Sequence, residues 1–146
     1  MKRVYVNEKW CLGCHLCEYN CAFANSGCAD MVKALKDRPI YPRIRVESDG
    51  GITYAVQCRH CTDPLCIKSC ISGALHRDAS GAVCIDHGKC VGCLTCVLVC
   101  PYGAVAPDGD GVVQKCELCL TNASGTPACV AGCPNGAIVY EEGEPQ

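Results

Sequence analysis

The chain reads as an α+β protein of short strands and short helices, built as two pseudo-symmetric units with an inserted helix-and-hairpin segment. Three observations lead there. Cysteine supplies 18 of 146 residues, above the roughly 8–10% at which cysteine content itself carries structural information. Sixteen of these cysteines fall into four groups of four, and the groups resemble one another in pairs. Conventional core formers are scarce, with one Trp and one Phe, while 15 Gly and 8 Pro interrupt regular elements. A chain of this length ordinarily folds around one oily core. Here sulfur must take over part of that role, which excludes a conventional large-core enzyme.

A strand at residues 3–6 leads into the first group, Cys11-x2-Cys14-x2-Cys17-x3-Cys21. Residues 22–57 form an insertion. It reads as a short helix over 29–37, stopped before Pro39, and a hairpin of strands 43–47 and 52–56 around Asp49-Gly50-Gly51. This segment is expected to be scaffold, with a docking surface as its functional alternative. The second group is Cys58-x2-Cys61-x4-Cys66-x3-Cys70. The third is Cys90-x2-Cys93-x2-Cys96-x3-Cys100-Pro101, and the fourth Cys116-x2-Cys119-x9-Cys129-x3-Cys133-Pro134. Val6-Asn7-Glu8-Lys9-Trp10-Cys11 resembles Ile85-Asp86-His87-Gly88-Lys89-Cys90, and Val56-Gln57-Cys58 resembles Val113-Gln114-Lys115-Cys116. Group one is therefore like group three, and group two like group four. Three groups are followed by a small apolar tag: Gly73-Ala74-Leu75, Gly103-Ala104-Val105 and Gly136-Ala137-Ile138. Each tag reads as a short strand entering or leaving a turn such as Asp78-Ala79-Ser80-Gly81.

Two ways of closing the units are open. Groups one and two could form one unit, and groups three and four the other. Alternatively, groups two and three form an inner unit (58–100), and groups one and four close around it as an outer unit (1–21 plus 101–146). The stretch between Cys70 and Cys90 looks like a complete midsection of tag, turn, strand and next group. Strands at 3–6 and 137–140 would supply the same hairpin split across the termini. This favours the nested closure, although spacing alone leaves both standing.

Eighteen cysteines suit either disulfides or metal. Met1 to Lys9 contains no apolar stretch of signal-peptide type. The longest apolar-leaning run, 93–106, is broken by Pro101 and too short to span a bilayer. A reducing cytoplasm is the expected compartment, without direct membrane insertion, and there clustered cysteines read as metal ligands. A formal charge of −2 with no basic stripe argues against nucleic acid. Groups one and three match the bacterial run for [4Fe–4S] clusters, and group three carries its trailing proline. Three closely spaced cysteines wrap one cube, and the fourth ligates the neighbouring cube. Four quartets thus predict four [4Fe–4S] clusters. Proteins of this kind carry electrons and have no catalytic residues of their own.

The remaining candidates are few. His15, His60, His76 and His87 are scattered, and the two inside cysteine groups are expected to pack or tune rather than ligate. No Gly-rich phosphate loop opens a helix, so flavin or nicotinamide binding is not expected. Arg59, Lys68, Lys89 and Lys115 lie beside cysteines of the groups and either offset cluster charge or are solvated surface residues. Cys84, in Ala82-Val83-Cys84-Ile85, reads as a small buried thiol, and Cys28 as a spare thiol in the insertion.

The whole chain resembles the four-cluster ferredoxin family, electron-transfer subunits of dimethyl sulfoxide reductase, formate dehydrogenases and hydrogenases. That resemblance implies the nested arrangement, with ferredoxin-like units and four ligand sets. One set is Cys11, Cys14 and Cys17 with Cys133; another is Cys116, Cys119 and Cys129 with Cys21. The others are Cys58, Cys61 and Cys66 with Cys100, and Cys90, Cys93 and Cys96 with Cys70. More narrowly, residues 10–21 (Trp10-Cys11-Leu12-Gly13-Cys14-His15-Leu16-Cys17-Glu18-Tyr19-Asn20-Cys21) are similar to the iron–sulfur protein associated with carbon monoxide dehydrogenase, as is the stretch 59–66. This implies carbon monoxide dehydrogenase as electron donor and a hydrogenase or flavin-dependent NAD(P) oxidoreductase as acceptor, with association to a membrane complex through a partner. The other readings are an electron-transfer subunit of a formate dehydrogenase or hydrogenase complex, and a multi-zinc interaction module.

Overall fold

Every regular element is short, because cysteine loops, glycines and prolines punctuate the chain. The structure is a computed structural model that describes residues 1–122 and 125–143. The expected outer unit, 101–146, thus lies partly outside the described residues, at 123–124 and 144–146. In order come β1 (Lys2–Val6), a 3₁₀ turn (Glu8–Trp10), α1 (Leu16–Ala24), α2 (Met31–Leu35), β2 (Ile44–Asp49) and β3 (Ile52–Gln57). They are followed by α3 (Leu65–Lys68), β4 (Leu75–Arg77), β5 (Val83–Ile85), α4 (Thr95–Val99), β6 (Val105–Pro107), β7 (Val113–Lys115), α5 (Ala128–Ala131) and β8 (Ile138–Glu142). Helices of this length do not persist in water on their own, so tertiary contacts must hold them.

The strands form four two-stranded antiparallel ribbons: β1–β8, β2–β3, β4–β5 and β6–β7. The first joins the two ends of the chain, with Val4 opposite Tyr140. Two ribbons follow groups two and three, with His76 opposite Cys84 and Ala106 opposite Gln114. Their turns repeat the same device. Asp78 Oδ1 accepts from the N–H groups of Ser80 (3.0 Å) and Ala82 (2.8 Å), and Asp108 Oδ1 accepts from those of Asp110 (2.9 Å) and Val112 (3.1 Å). Hydrogen bonding from the Ser80 hydroxyl to one and the Gln114 amide to the other holds both carboxyls below their usual range. The helices pair likewise: α1 packs on α5, and α3 on α4.

The insertion follows its sequence signals with shifted ends. Helix α2 is shorter than 29–37, starting after Asp30, whose carboxylate caps the N–H groups of Val32 (2.8 Å) and Lys33 (3.4 Å). The β2–β3 turn uses Gly50 and Gly51 at φ +54° and +85°, the geometry of a tight hairpin that side chains disfavour. Thr53 then donates its hydroxyl to Cys11 O (2.8 Å), laying the hairpin against the first cysteine loop.

Two apolar clusters make the core, and both incorporate sulfur. One joins Val4, Ile44, Ala55, Leu118 and Ile138 to Cys17, Cys21, Cys58, Cys116 and Cys129. The other joins Leu75, Ile85, Val105 and Val113 to Cys96. Cys84 is half-buried at the edge of the first cluster rather than enclosed, because its short strand leaves one face open. Cys28 is half-buried as well.

Candidate functional site

The cysteine loops share one backbone feature that only partly shows in the sequence. The second residue after the first cysteine of each group has a positive φ: Gly13 (+64°), His60 (+48°), Gly92 (+67°) and Leu118 (+59°). In groups one and three the fourth residue does so too, at His15 (+61°) and Leu94 (+59°), immediately before α1 and α4. Left-handed residues between right-handed ones turn successive N–H groups to one side and form anion-binding concavities, a device found at iron–sulfur sites. Non-glycine residues hold such angles at a cost of order 1–3 kcal/mol.

Gly92 carries a second constraint. A Cβ there would stand 2.7 Å from Gly111 O, in the turn between β6 and β7, whereas one on Gly73 (φ +66°) would meet nothing within 4 Å. Gly92→Ala is therefore expected to destabilise the holoprotein by about 2–4 kcal/mol, strain plus clash. Gly73→Ala should cost about 1–2 kcal/mol, from strain alone. Denaturant midpoints of the two variants check this.

Three quartets each line a cavity of similar size. Cys11, Cys14, Cys17 and Cys133 surround about 340 Å³ with Val46, Ala55 and Ile138. Cys70, Cys90, Cys93 and Cys96 surround about 300 Å³ with Leu75, Ile85 and Val113. Cys58, Cys61, Cys66 and Cys100 surround about 370 Å³ with Val83, Tyr102 and Val105. The fourth quartet sits deeper. Cys21, Cys116 and Cys129 are buried and Cys119 is half-buried. Burial first, and then the nearness of Cys116, Cys21 and Cys119, pushes the Cys129 thiol up, and burial with Cys119 nearby raises that of Cys21.

Backbone donors point at the sulfurs. His60 N–H donates to Cys58 Sγ and Leu118 N–H to Cys116 Sγ, each at 3.4 Å and from equivalent positions. Leu75 N–H reaches Cys70 Sγ (3.5 Å), Ala104 N–H reaches Cys100 Sγ (3.4 Å), and Arg43 N–H, from the insertion, reaches Cys21 Sγ (3.3 Å). Burial pushes the thiols of Cys17 and Cys116 up to about 12 and that of Cys66 up to about 11. Thiolates at these places therefore call for a bound metal cation. Among the described residues no three His, Cys, Asp or Glu side chains converge as a single-ion site. A cube carries its irons at four corners, so its ligands stand around a cavity. Soft donors, apolar linings and inward N–H groups fit [4Fe–4S] clusters on all three counts.

Several positioning residues escape sequence reasoning. Glu18, beside Cys17, accepts from Val46 N–H (2.5 Å) and pairs with His15 Nδ1 (2.8 Å), tying α1 to β2. Glu117, beside Cys116, accepts from Ile85 N–H (2.9 Å) and pairs with Arg43. The four cations flanking the groups separate sharply. Lys68 and Lys89 are solvent-exposed partners of Asp63 and Asp86, Arg59 stacks over Tyr102, and Lys115 is wholly buried. His60 is also fully buried, its Nδ1 accepting from Val83 N–H (2.9 Å), which leaves Nε2 as the protonated nitrogen. The repeat alignment offered one signal, since His60 and Leu118 fall where groups one and three have glycine.

Comparisons with known proteins agree with this chemistry. The family model described as a 4Fe-4S dicluster domain matches residues 51–142. An iron-sulfur protein of Rhodospirillum rubrum is 40% identical over 92% of this chain and 79% of its own. Electron transport protein HydN of Escherichia coli is 36% identical over 88% of this chain and 81% of its own. NADH-dependent phenylglyoxylate dehydrogenase subunit beta of Aromatoleum evansii is 40% identical over 89% of this chain, which spans only 28% of that subunit. Among solved structures, a chain of the active site complex BamBC of benzoyl coenzyme A reductase superposes with a TM-score of 0.54 at 23% identity, over 97% of this chain and 79% of that one. This last likeness concerns the fold alone.

Proposed function

Because the chain belongs to the 4Fe-4S dicluster domain family and is an iron–sulfur electron-transfer protein, we propose that it holds four [4Fe–4S] clusters and relays low-potential electrons from carbon monoxide dehydrogenase to a hydrogenase or a flavin-dependent NAD(P) oxidoreductase. The observation that carries the cluster count is the lining of three separate cavities by one cysteine quartet each, with a fourth quartet gathered in the core. The ligand sets are Cys11, Cys14, Cys17 and Cys133; Cys116, Cys119, Cys129 and Cys21; Cys58, Cys61, Cys66 and Cys100; and Cys90, Cys93, Cys96 and Cys70. The nested arrangement of 1–21 plus 101–146 around 58–100, with 22–57 inserted, draws support from the α1–α5, α3–α4 and β1–β8 contacts.

Bound clusters of this class supply one-electron redox centres whose potentials respond to net charge, hydrogen bonds to sulfur and exposure. The chain's own residues do the rest. Thiolates hold the iron, N–H groups of His60, Leu75, Ala104 and Leu118 stabilise negative charge on sulfur, and the apolar linings keep water away. Cys14 and Cys93 are exposed, beside exposed Trp10 and Leu12 in one loop and Val91 and Leu94 in the other. The two loops, with Trp10 and Leu12 at one and Val91 at the other, offer two surface points at which a donor and an acceptor can approach. Each electron taken from the donor oxidises it, and the same electron reduces the acceptor. Among the described residues no helix is long and apolar enough to cross a membrane, so contact with a membrane complex would run through a partner.

The choice of donor rests on the similarity of residues 10–21 and 59–66 to the protein associated with carbon monoxide dehydrogenase. With catalytic amounts of that enzyme and CO, the anaerobic protein is expected to lose visible colour as its clusters are reduced, and to co-elute with the enzyme. No reduction and no co-elution would overturn this partner. In that case a formate dehydrogenase or hydrogenase complex becomes the alternative. A colourless protein carrying zinc and no acid-labile sulfide would instead support a multi-zinc module.

A further inference from the structure

Lys115 closes β7 and directly precedes Cys116. It is 0% exposed, and among the described residues its ammonium is held by backbone carbonyls alone: Nζ donates to Val83 O and to Cys116 O (2.6 Å). An ammonium enclosed in apolar surroundings is costly unless negative charge lies close by. Two carbonyl dipoles supply only part of that compensation. One of its carbonyl partners belongs to Cys116 of one quartet, and the other to Val83, which lines the cavity of Cys58, Cys61, Cys66 and Cys100. Those two quartets also share a core cluster, through Cys116 and Cys58. The peptide of Val83 binds Lys115 by its carbonyl and His60 by its N–H, so both buried groups are anchored at one point of β5.

The internal repeat supplies a comparison within the molecule. Gln57 precedes Cys58 as Lys115 precedes Cys116. Gln57 is also buried, and its amide donates to Val4 O (2.9 Å) across from β3 to β1, as Lys115 donates from β7 to β5. A neutral amide therefore satisfies the structural task at one of the two equivalent places. The positive charge at the other is surplus to that task.

Resting on the four-cluster reading above, we propose that Lys115 is a buried counter-charge shared by the quartets of Cys116 and Cys58, and that it raises the reduction potentials of the two clusters held there. An electron arriving at either quartet adds one negative charge, with no bond formed or broken and no proton moved. A fixed ammonium nearby stabilises that added charge, and burial spares the interaction from screening by salt.

The test uses the anaerobically purified holoprotein and Lys115→Gln, which installs the amide that position 57 already carries. Iron and acid-labile sulfide per chain are expected to stay unchanged. Two midpoint potentials, in a potentiometric titration followed by EPR, are expected to fall by at least tenfold in the reduction equilibrium, about 59 mV for one electron. Lys115→Arg keeps the charge and returns both potentials toward those of the unsubstituted protein. Lys89→Gln, at an exposed ion pair, leaves all of them in place. The shift persists at about 1 M salt, where the Debye length is about 3 Å. A fully loaded Lys115→Gln protein with unmoved potentials overturns the counter-charge and leaves the four-cluster reading intact. Less than four clusters' worth of iron in the unsubstituted protein overturns the reading itself. Should both Lys115 variants lose iron, acylation of the unsubstituted holoprotein decides. Protection of Lys115 while Lys68 and Lys89 react supports the proposal, and equal reaction overturns it.

Discussion

Stripping iron from the protein with a chelator, anaerobically and with thiols kept reduced, is expected to abolish its cooperative unfolding transition and most of its ordered structure. The reason lies in what fills the core. Buried residues larger than alanine are few, among them Val4, Ile44, Leu75, Val83, Ile85 and Val113. Many of their neighbours are cysteines: Cys17, Cys21, Cys58, Cys116 and Cys129 in one cluster and Cys96 in the other. Helices of four to nine residues and ribbons of three to six pairs add little independent stability. Where ligands come from loops distant in sequence, metal-binding free energy is folding free energy, of the order of 10 kcal/mol or more per structural metal site. Left-handed backbone at His15, His60, Leu94 and Leu118 also relaxes once nothing holds the loops. Circular dichroism before and after chelation reads the result. A chelated chain with an unchanged thermal transition would show that the apolar clusters suffice by themselves.

Paired cysteine replacements should have the second largest effect, because they report which groups share a cluster. Under the nested arrangement Cys11→Ser and Cys133→Ser each lose about a quarter of the iron, and the double variant loses no more than that, since residues acting as one unit are not additive. Cys11→Ser with Cys70→Ser touches two clusters and should lose about half. If groups one and two closed together instead, Cys11 would share a cluster with Cys70, and the two double variants would exchange results. Cys28→Ser and Cys84→Ser, outside the quartets, should keep the full complement. Iron and sulfide assays on the anaerobic proteins decide between these outcomes.

Much of the fold was legible before any coordinates. The cysteine spacings mark the loops, the repeated Gly-Ala-apolar tags mark three strands, and Asp49-Gly50-Gly51 marks the hairpin of the insertion. These signals are local: a tight turn needs glycine, and a metal loop needs its donors at close intervals. The ends of elements were less legible. Helix α2 shrank to Met31–Leu35 because Asp30 caps it, and Cys84 lies half-open because three-residue strands cover little. The left-handed angles at His60 and Leu118 were hidden because neither residue type favours them. Only the comparison with Gly13 and Gly92 pointed there.

Taken alone, the sequence determined the chemistry: thiol donors in four quartets, an iron–sulfur electron-transfer protein, and a chain duplicated in pairs. Ligand spacing is a property of the loop itself and survives without knowledge of the rest. The tertiary structure decided which loops approach one another, because α1 on α5, α3 on α4 and β1 on β8 are contacts between distant segments. It alone separated four cations that look alike in the sequence. Lys68 and Lys89 stand in water beside carboxylates, while Lys115 is enclosed against β5. Burial depends on what the rest of the chain places around a residue, and burial decides whether a charge is screened or felt.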